Sequence, residues 1–301
     1  MRMHAKAMVM ASLLADSLAL GAHWIYDTHQ IDREIGRVDR LLPPLPGSYH
    51  KDKKRGDFTH YGDQVLVLLE SIARNNEFIL QGFSRDWQHL FSSYTGYVDR
   101  ATEQTMNNFA AGAPPEKSGS DSDDLGGPAR LAPLIFCYRD DLKTLLSLAE
   151  QQTKMTHTAP AALAAADFLA RVTFAVLHGA HPADAIQTTL DQSVSGINLK
   201  MKLKASLAST GKNSRQVIAH LGQMCGAGDA LPSAIHLITS YPENLETALI
   251  ENTMAGGDSA ARGLVVGMVL GAHLGMEKIP EKWLKELRKK EHITALLSQI
   301  P

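Results

Sequence analysis

Residues 256–275 read Gly-Gly-Asp-Ser-Ala-Ala-Arg-Gly-Leu-Val-Val-Gly-Met-Val-Leu-Gly-Ala-His-Leu-Gly, with glycine at 263, 267, 271 and 275. Positions four apart lie on one face of a helix, so this spacing predicts a helix with a stripe of glycine. Each interior glycine costs about 0.5–1 kcal/mol relative to alanine, and close approach of a second helix would explain the stripe. The opening helix is rich in alanine and serine around 11–18, and we expect it to be that neighbour.

Helical periodicity extends over almost the whole chain, and no run of alternating apolar residues is long enough to predict a sheet. The chain has 301 residues, of which 44% are apolar, which is enough for one large core. The sequence therefore predicts an all-α fold in a single domain spanning 1–301. The predicted helices are 3–21, 63–77, 84–111, 127–138, 141–152, 159–178, 182–194, 200–209, 213–221, 231–240, 243–254, 259–275 and 280–299.

Composition argues against several classes of protein. The 30 basic and 32 acidic side chains nearly balance, which argues against a dedicated nucleic-acid or membrane-surface binder. Cys137 and Cys225 belong to no CxxC or Cys/His cluster, so we expect neither a zinc site nor a disulfide framework. The apolar stretch 263–272 is too short to span a bilayer, and Asp16 interrupts the apolar N-terminal run. We expect a cytoplasmic protein without a membrane segment, either a monomer or a homodimer.

Two long segments, 38–60 and 113–127, contain proline pairs, glycine and runs of charged residues, a composition that disfavours helix formation. Loops of this length inside a domain are usually functional or disordered. Both end beside a predicted helix start, where backbone N–H groups can meet an anion such as a phosphate.

Several polar residues stand out in apolar surroundings. Asp16 lies in the middle of the first helix, where a carboxylate must be paired, bind something or cap a neighbouring helix. Asp63 and Asp258 each follow glycine at a predicted helix start. Simple N-capping explains each of them, but two such aspartates can also hold one metal ion if the helix starts converge.

Two further segments carry alternative interpretations. Paired glycines at Gly126 and Gly127 let backbone N–H groups approach a ligand, although the preceding acidic run also fits a solvated loop. The dipeptide Thr156-His157 fits either a ligand contact or a helix cap with a surface histidine.

Taken in order, these segments resemble the motifs of the ADP-ribosylglycohydrolase superfamily over nearly the whole chain. Residues 15–23 resemble the family motif Gly-Asp-x-x-Gly-x-x-x-Glu, and residues 61–64 resemble Thr-Asp-Asp-Thr. Residues 124–130 resemble the loop Gly-Asn-Gly-x-x-Met-Arg, and residues 156–157 match the family's Thr-His. Residues 256–261 resemble Gly-Gly-Asp-x-Asp-Thr. The resemblance implies an all-α, orthogonal helical bundle. It also implies hydrolysis of a glycosidic bond to ADP-ribose or a related nucleotide-ribose, usually with two Mg²⁺ ions.

The resemblance also implies roles for individual residues. Gly126 and Gly127 would meet the phosphates, and the other expected substrate contacts are Arg130, Tyr61 and, at the ribose, His157. Asp63 and Asp258, joined by Ser259, would hold a metal ion. Either Asp63 or Asp16 would act as the base, and His23 would replace the family's glutamate as the acid, because imidazole titrates near neutrality.

The departures from the motifs reduce the expected metal site. Gly62, Ala260 and Ala261 offer no side-chain oxygen where the family has one. We therefore expect at most one tightly bound Mg²⁺ ion, or none. The alternative is a non-catalytic ADP-ribose-binding or structural protein, similar to the crystallin-like branch of the same superfamily.

Overall fold

The glycine stripe lies at the contact between two buried helices. The computed structural model describes residues 1–193 and 197–301. Among these residues, the most extensive contact between two helices joins α1 (Arg2–Ala19) to the glycine-rich helix Ser259–Leu274. A Cβ added to Gly271 would lie 2.7 Å from the carbonyl oxygen of Ala7, and one added to Gly263 would lie 3.3 Å from that of Ala15. The prediction that the stripe faces the opening helix is confirmed. Gly275 is the exception, because it ends the helix with a φ of +79°.

The fold is all-α, as predicted, and the described residues contain no β-strand. After α1 the helices are α2 (Thr28–Glu34), α3 (His60–Asn75), α4 (Leu80–Ser92), α5 (Arg100–Ala110), α6 (Gly126–Ala129), α7 (Ala132–Cys137), α8 (Leu142–Lys154), α9 (Pro160–Leu177), α10 (Pro182–Ser193), α11 (Ile197–Leu207), α12 (Ser214–Leu221), α13 (Ala227–Ser240), α14 (Leu245–Met254), α15 (Ser259–Leu274), α16 (Glu281–Glu286) and α17 (Lys290–Gln299). Short 3₁₀ turns occur at Pro115–Lys117 and Met276–Lys278.

Three predicted helices are each two helices in the structure. The predicted helix 84–111 is interrupted after Ser92, and Asp99 starts the next helix by accepting a 2.6 Å hydrogen bond from the Thr102 N–H. The predicted helices 127–138 and 280–299 are also divided, the second where the Arg288 N–H bonds the Gly56 carbonyl at 3.1 Å. The predicted end of 182–194 lies outside the described residues.

Helix α9 is long and apolar enough to cross a membrane by length and composition, a feature that the sequence reading did not single out. Just over half of it, 56%, is buried inside the molecule, where it packs against α8, α10 and α15. A core helix passes the same test.

The end of α1 and the starts of α3 and α15 meet at one place. Asp16 on α1 accepts hydrogen bonds from Thr59, directly before α3. The Trp24 N–H, a few residues after α1, donates a 2.9 Å hydrogen bond to the Gly257 carbonyl, directly before α15. Isolated bridges Ser120–His157 and Asp124–Gly226 bring the acidic loop to the same region.

Candidate functional site

Asp16 on α1 is bonded to the N-cap residue of the neighbouring helix α3. Its fully buried carboxylate accepts hydrogen bonds from the Thr59 N–H at 2.7 Å and the Thr59 hydroxyl at 2.6 Å, at the start of α3. Gly62 leaves room for it, since a Cβ there would overlap an Asp16 carboxylate oxygen. Burial raises the pKa of Asp16 to about 6. Both carboxylate oxygens accept from Thr59, so Asp16 is a paired carboxylate that holds the start of α3, while Thr59 is the cap itself.

Asp258 is the N-cap of α15 and joins α15 to α3. Its buried carboxylate accepts from the Ala261 N–H at 3.1 Å and from the Tyr61 hydroxyl at 3.0 Å. Burial raises the pKa of Asp258 to about 6, against an ordinary value of 3.8. The two distant segments do converge, and Tyr61 is the side chain that meets Asp258.

Asp63 has different partners. Helix α3 begins at His60 with Thr59 as its cap, three residues before the predicted start, so Asp63 lies inside the helix. Its carboxylate forms an ion pair with Lys53 and accepts from the Tyr94 hydroxyl, beside a separate cavity of about 260 Å³. Asp63 and Asp258 share no hydrogen-bonding partner among the described residues, so this arrangement does not support a cation held by both.

A chain of hydrogen bonds links Asp99, His60 and His50. His60 Nε2 lies 2.9 Å from Asp99, and His60 Nδ1 lies 3.2 Å from His50 Nε2. Burial opposes the charge on His60, but the hydrogen bond and charge of Asp99 raise its pKa. Burial and the neighbouring His60 lower the pKa of His50 to about 3. A protonated His60 donates to both neighbours, which leaves the single proton of His50 on its buried Nδ1, an atom without a partner in the described part of the chain.

His23 is a buried, neutral imidazole. Its Nδ1 accepts a 3.3 Å hydrogen bond from the Ala260 N–H at the start of α15, and its ring stacks on Trp24 with centroids 4.4 Å apart. Burial, followed by the nearby His50 and His60, lowers the pKa of His23 well below its ordinary value. A neutral ring is a poor proton donor, so this environment opposes the acid role expected for His23.

A cavity beside this junction has a volume of about 470 Å³ and one strongly acidic wall. Its aromatic wall comes from Trp24, Tyr61 and Tyr97. Arg100 lies at its rim with a side chain that is 85% exposed. We call it the acidic cavity because its other lining residues include Asp99, Asp121, Asp123 and Asp124.

Asp124 is the most tightly held carboxylate of the acidic cavity. It accepts from His157 Nε2 at 2.8 Å, from the Ser122 hydroxyl at 2.7 Å and from the Gly126 N–H at 2.7 Å. Burial alone would raise the pKa of Asp124, but the charge and hydrogen bond of His157 lower it. His157 is buried, so the surface-histidine alternative is wrong.

The paired glycines let side chains pack closely. A Cβ on Gly126 would lie 2.5 Å from the Tyr61 ring, and one on Gly127 would lie 2.7 Å from His157 Nδ1. The Gly126 N–H already bonds Asp124, and carboxylates surround this loop. The expected phosphate contact therefore stays a prediction that these charges oppose.

Arg130 lies behind the cavity. Its guanidinium is 1% exposed and donates to Gln152 at 2.6 Å, to Thr156 at 2.6 Å and to Gln64. Burial lowers the pKa of Arg130 to about 10. This geometry does not support the predicted direct contact between Arg130 and a substrate. Arg130 is linked to the cavity through Thr156, whose hydroxyl lies 2.8 Å from His157 Nδ1.

The residues at this junction do not fit Mg²⁺, which takes hard oxygen ligands in a near-ideal octahedron. Asp16, Asp63 and Asp258 already accept hydrogen bonds or an ion pair from the protein. The Ser259 hydroxyl is buried without a partner among the described residues, but it is a single neutral oxygen. The imidazoles of His23, His50 and His60, which lie close together beside these carboxylates, are ligands that magnesium disfavours.

The sequence reading missed several residues of this site, chiefly Tyr97, Asp99 and His50. Tyr97 and Asp99 lie in the interruption of the predicted helix 84–111. Gly96, and the capping pattern of Asp99 before Arg100, were the local signals that could have revealed it.

Comparisons with known proteins agree with this fold. A family model described as ADP-ribosylglycohydrolase matches residues 1–301. Crystallin J1A of Tripedalia cystophora is 24% identical over 98% of this chain and 95% of its own length. ADP-ribosylarginine hydrolase Tri1 of Serratia proteamaculans is 22% identical over 81% of this chain and 67% of its own length. A solved structure titled ADP-ribosylglycohydrolase-related protein complex superposes with a TM-score of 0.82 at 21% identity, covering 99% of this chain and 97% of that one.

Proposed function

Because the chain belongs to the ADP-ribosylglycohydrolase family, we propose that it hydrolyses the glycosidic bond of an ADP-ribosylated protein, nucleotide or small-molecule substrate in the acidic cavity. The observation that carries this proposal is the cavity itself, in which two buried carboxylates face an aromatic wall. The relative named ADP-ribosylarginine hydrolase Tri1 supports the same reaction class.

The charge of the cavity suits the chemistry of the reaction. Cleavage of a glycosidic bond passes through a transition state with positive charge on the sugar ring. Burial opposes the ionisation of Asp99 and Asp124. The hydrogen bond and charge of His60 nevertheless lower the pKa of Asp99, and those of His157 lower the pKa of Asp124. Fixed negative charges beside the ribose would stabilise that transition state more than the neutral ground state.

The roles differ from those that the motifs suggested. Asp124 is the better candidate for the base that activates a water molecule because it lines the acidic cavity, whereas Asp16 does not and Asp63 lines a separate cavity. His157 holds Asp124 ionised and oriented. The pyrophosphate would extend toward Arg100, an exposed cation of the cavity lining whose guanidinium lies 3.8 Å from the Asp121 carboxylate.

We further propose that the chain holds at most one tightly bound Mg²⁺ ion, or none. The support is the donor set, in which the two aspartates expected to bind magnesium, Asp63 and Asp258, are bonded to Lys53 and Tyr61. No step in the proposed reaction passes through a metal ion. Elemental analysis of protein dialysed against excess Mg²⁺ tests this, and two bound ions per chain would overturn it.

A non-catalytic role on the same scaffold is the second candidate. Its support is the match to Crystallin J1A along 98% of this chain, together with the internal pairing of the predicted catalytic residues Asp16 and Asp63.

One set of measurements separates the two candidates. ADP-ribose binding is measured by calorimetry, and release of ADP-ribose from ADP-ribosylated arginine and serine peptides is followed by chromatography, with and without EDTA. We expect Asp124→Asn to lower turnover about 10²–10⁴-fold, the range for loss of a general base. Asp141→Asn is the matched control, because Asp141 is an exposed helix cap outside the cavity and asparagine also caps.

The outcomes are distinct. Binding without release by wild-type protein would favour the non-catalytic role. Turnover that survives in Asp124→Asn would refute the assignment of the base, and absence of both binding and release would refute the proposed cavity.

A further inference from the structure

Three side chains from distant parts of the chain meet at the end of α15 opposite the acidic cavity. His181 directly precedes α10, Glu243 lies between α13 and α14, and His273 is in the last turn of α15. Each offers one ligand atom, and these atoms all lie within 4.8 Å of one another. Because the three positions are far apart in the sequence, no local spacing pattern reveals them.

We propose that His181, Glu243 and His273 bind one divalent transition-metal ion, of the class of Zn²⁺ or Ni²⁺. Two imidazoles and one carboxylate form a donor set that such ions prefer and that Mg²⁺ does not. Three protein ligands leave the remaining positions to water, as in open zinc sites.

The geometry is that of converging ligands. Glu243 Oε1 lies 3.3 Å from His273 Nε2 and 3.9 Å from His181 Nε2. The two rings are nearly perpendicular at 82°, with centroids 5.4 Å apart, so they do not stack face to face. A metal ion at 2.0–2.2 Å from each atom would draw the carboxylate between the two rings.

Charge and access also favour a cation. The side chains of His181 and His273 are 41% and 22% exposed, so an ion can reach them from solvent. Glu243 also lines an adjacent cavity of about 420 Å³ with Glu246, Glu277, Glu281 and Lys278. Lys282 and Lys285 pair with Glu246 and Glu281, which leaves Glu243 and Glu277 against Lys278, so the remaining charge is negative and attracts a cation.

Metal binding requires one rearrangement at His181. Its Nδ1 accepts a 3.3 Å hydrogen bond from the Ala183 N–H. Coordination through Nε2 places the proton on Nδ1, so this long hydrogen bond would be exchanged for the metal bond.

This site is independent of the proposed reaction. Helix α15 carries Asp258 at its start and His273 in its last turn, and a helix of 16 residues is about 24 Å long. An ion here would join the α9–α10 and α13–α14 connections to the central helix, so it should stabilise the fold without entering the acidic cavity.

The experiment titrates ZnSO₄, NiSO₄ or MgCl₂ into the full chain after EDTA treatment and dialysis. We expect one equivalent of Zn²⁺ or Ni²⁺ by equilibrium dialysis, a rise in melting temperature that saturates with it, and no such rise with Mg²⁺. His181→Ala and His273→Ala should each remove both effects. His292→Ala is the matched control, since His292 forms an exposed 2.7 Å pair with Glu70 and is not part of the cluster, and it should bind like wild type.

Two results would overturn the proposal. One is no stoichiometric Zn²⁺ or Ni²⁺ bound by wild-type protein. The other is stoichiometric binding that persists in the His181→Ala, His273→Ala double variant, which would place the ion elsewhere, for example among the buried histidines near Trp24.

Discussion

Within the glycine stripe, Gly267 is the position where an added methyl group should cause the largest disturbance. In a Gly267→Ala variant the new Cβ would overlap the Ala11 carbonyl oxygen and lie 2.7 Å from its carbon, where ordinary contact starts at 3.4 Å. The atoms in the way are backbone, so α1 and α15 must separate by about 0.7 Å. A radial gap of about 0.5–1 Å forfeits a quarter to a half of each dispersion contact along the interface.

The two opposing terms have known sizes. Overpacking a core costs about 1–3 kcal/mol or more, whereas replacing glycine by alanine inside a helix gains about 0.8–1 kcal/mol. Because the obstructing atoms are backbone, we take the upper part of the overpacking range, about 2–3 kcal/mol. Subtracting the helix gain leaves a net loss of about 1–2 kcal/mol and a melting temperature lowered by about 2–3 °C, with a larger loss for Gly267→Leu.

The assay is thermal unfolding followed by far-ultraviolet circular dichroism, which reports the helix content of the protein. The matched control is Gly228→Ala, because Gly228 is also helical, in α13, but a Cβ there meets nothing within 4 Å. The control should gain up to about 1 kcal/mol. If Gly267→Ala melts at or above the wild-type temperature, the close-packing explanation of the stripe is wrong.

Three further variants test the buried polar groups. Asp258→Asn removes an acid whose pKa is about 6 in the fold and 3.8 ordinarily. The contribution of protonated Asp258 to the free energy of unfolding is fully present below pH 4 and is lost as the pH rises through 6. Between pH 4 and 8, the variant should therefore gain on the order of 3 kcal/mol relative to wild type in urea unfolding. Identical pH profiles would contradict that shift. Arg130→Met should lower the free energy of unfolding by about 1–3 kcal/mol for each buried partner left unpaired, whereas a fully stable variant with weakened ADP-ribose binding would restore the direct substrate contact. Asp63→Asn weakens the pair with Lys53, and we expect turnover and metal content to match wild type; lost turnover at an unchanged melting temperature would restore the catalytic role of Asp63.

The fold was predictable because its strongest signal is a packing signal. The glycine spacing specified both a helix and a close neighbour, and the alanine-rich opening helix met that requirement. Gly275 was placed on the stripe wrongly, because spacing alone does not distinguish an interior glycine from one that ends a helix.

The site was less predictable because its polar groups are defined by tertiary contacts. Asp63 was expected to meet Asp258, but a helix start three residues earlier places Tyr61 there. His157 and Asp124 were both noticed in the sequence, yet their hydrogen bond joins positions 33 residues apart. Asp99 was hidden inside an apparently continuous helical pattern.

The pairing of α1 with α15 also bears on how the chain is made. About 250 residues separate the ends of these two helices, so at roughly 5–20 residues per second the ribosome completes α15 roughly 10–50 s after α1. During that interval the face of α1 that packs on α15 has no partner, although α3 and α7, which contact other parts of the buried stretch Ala7–Ala19, are made earlier. Nascent chains that stop before α15 would expose this face and should depend on chaperones or aggregate, and the central contact can form only after α15 has been made.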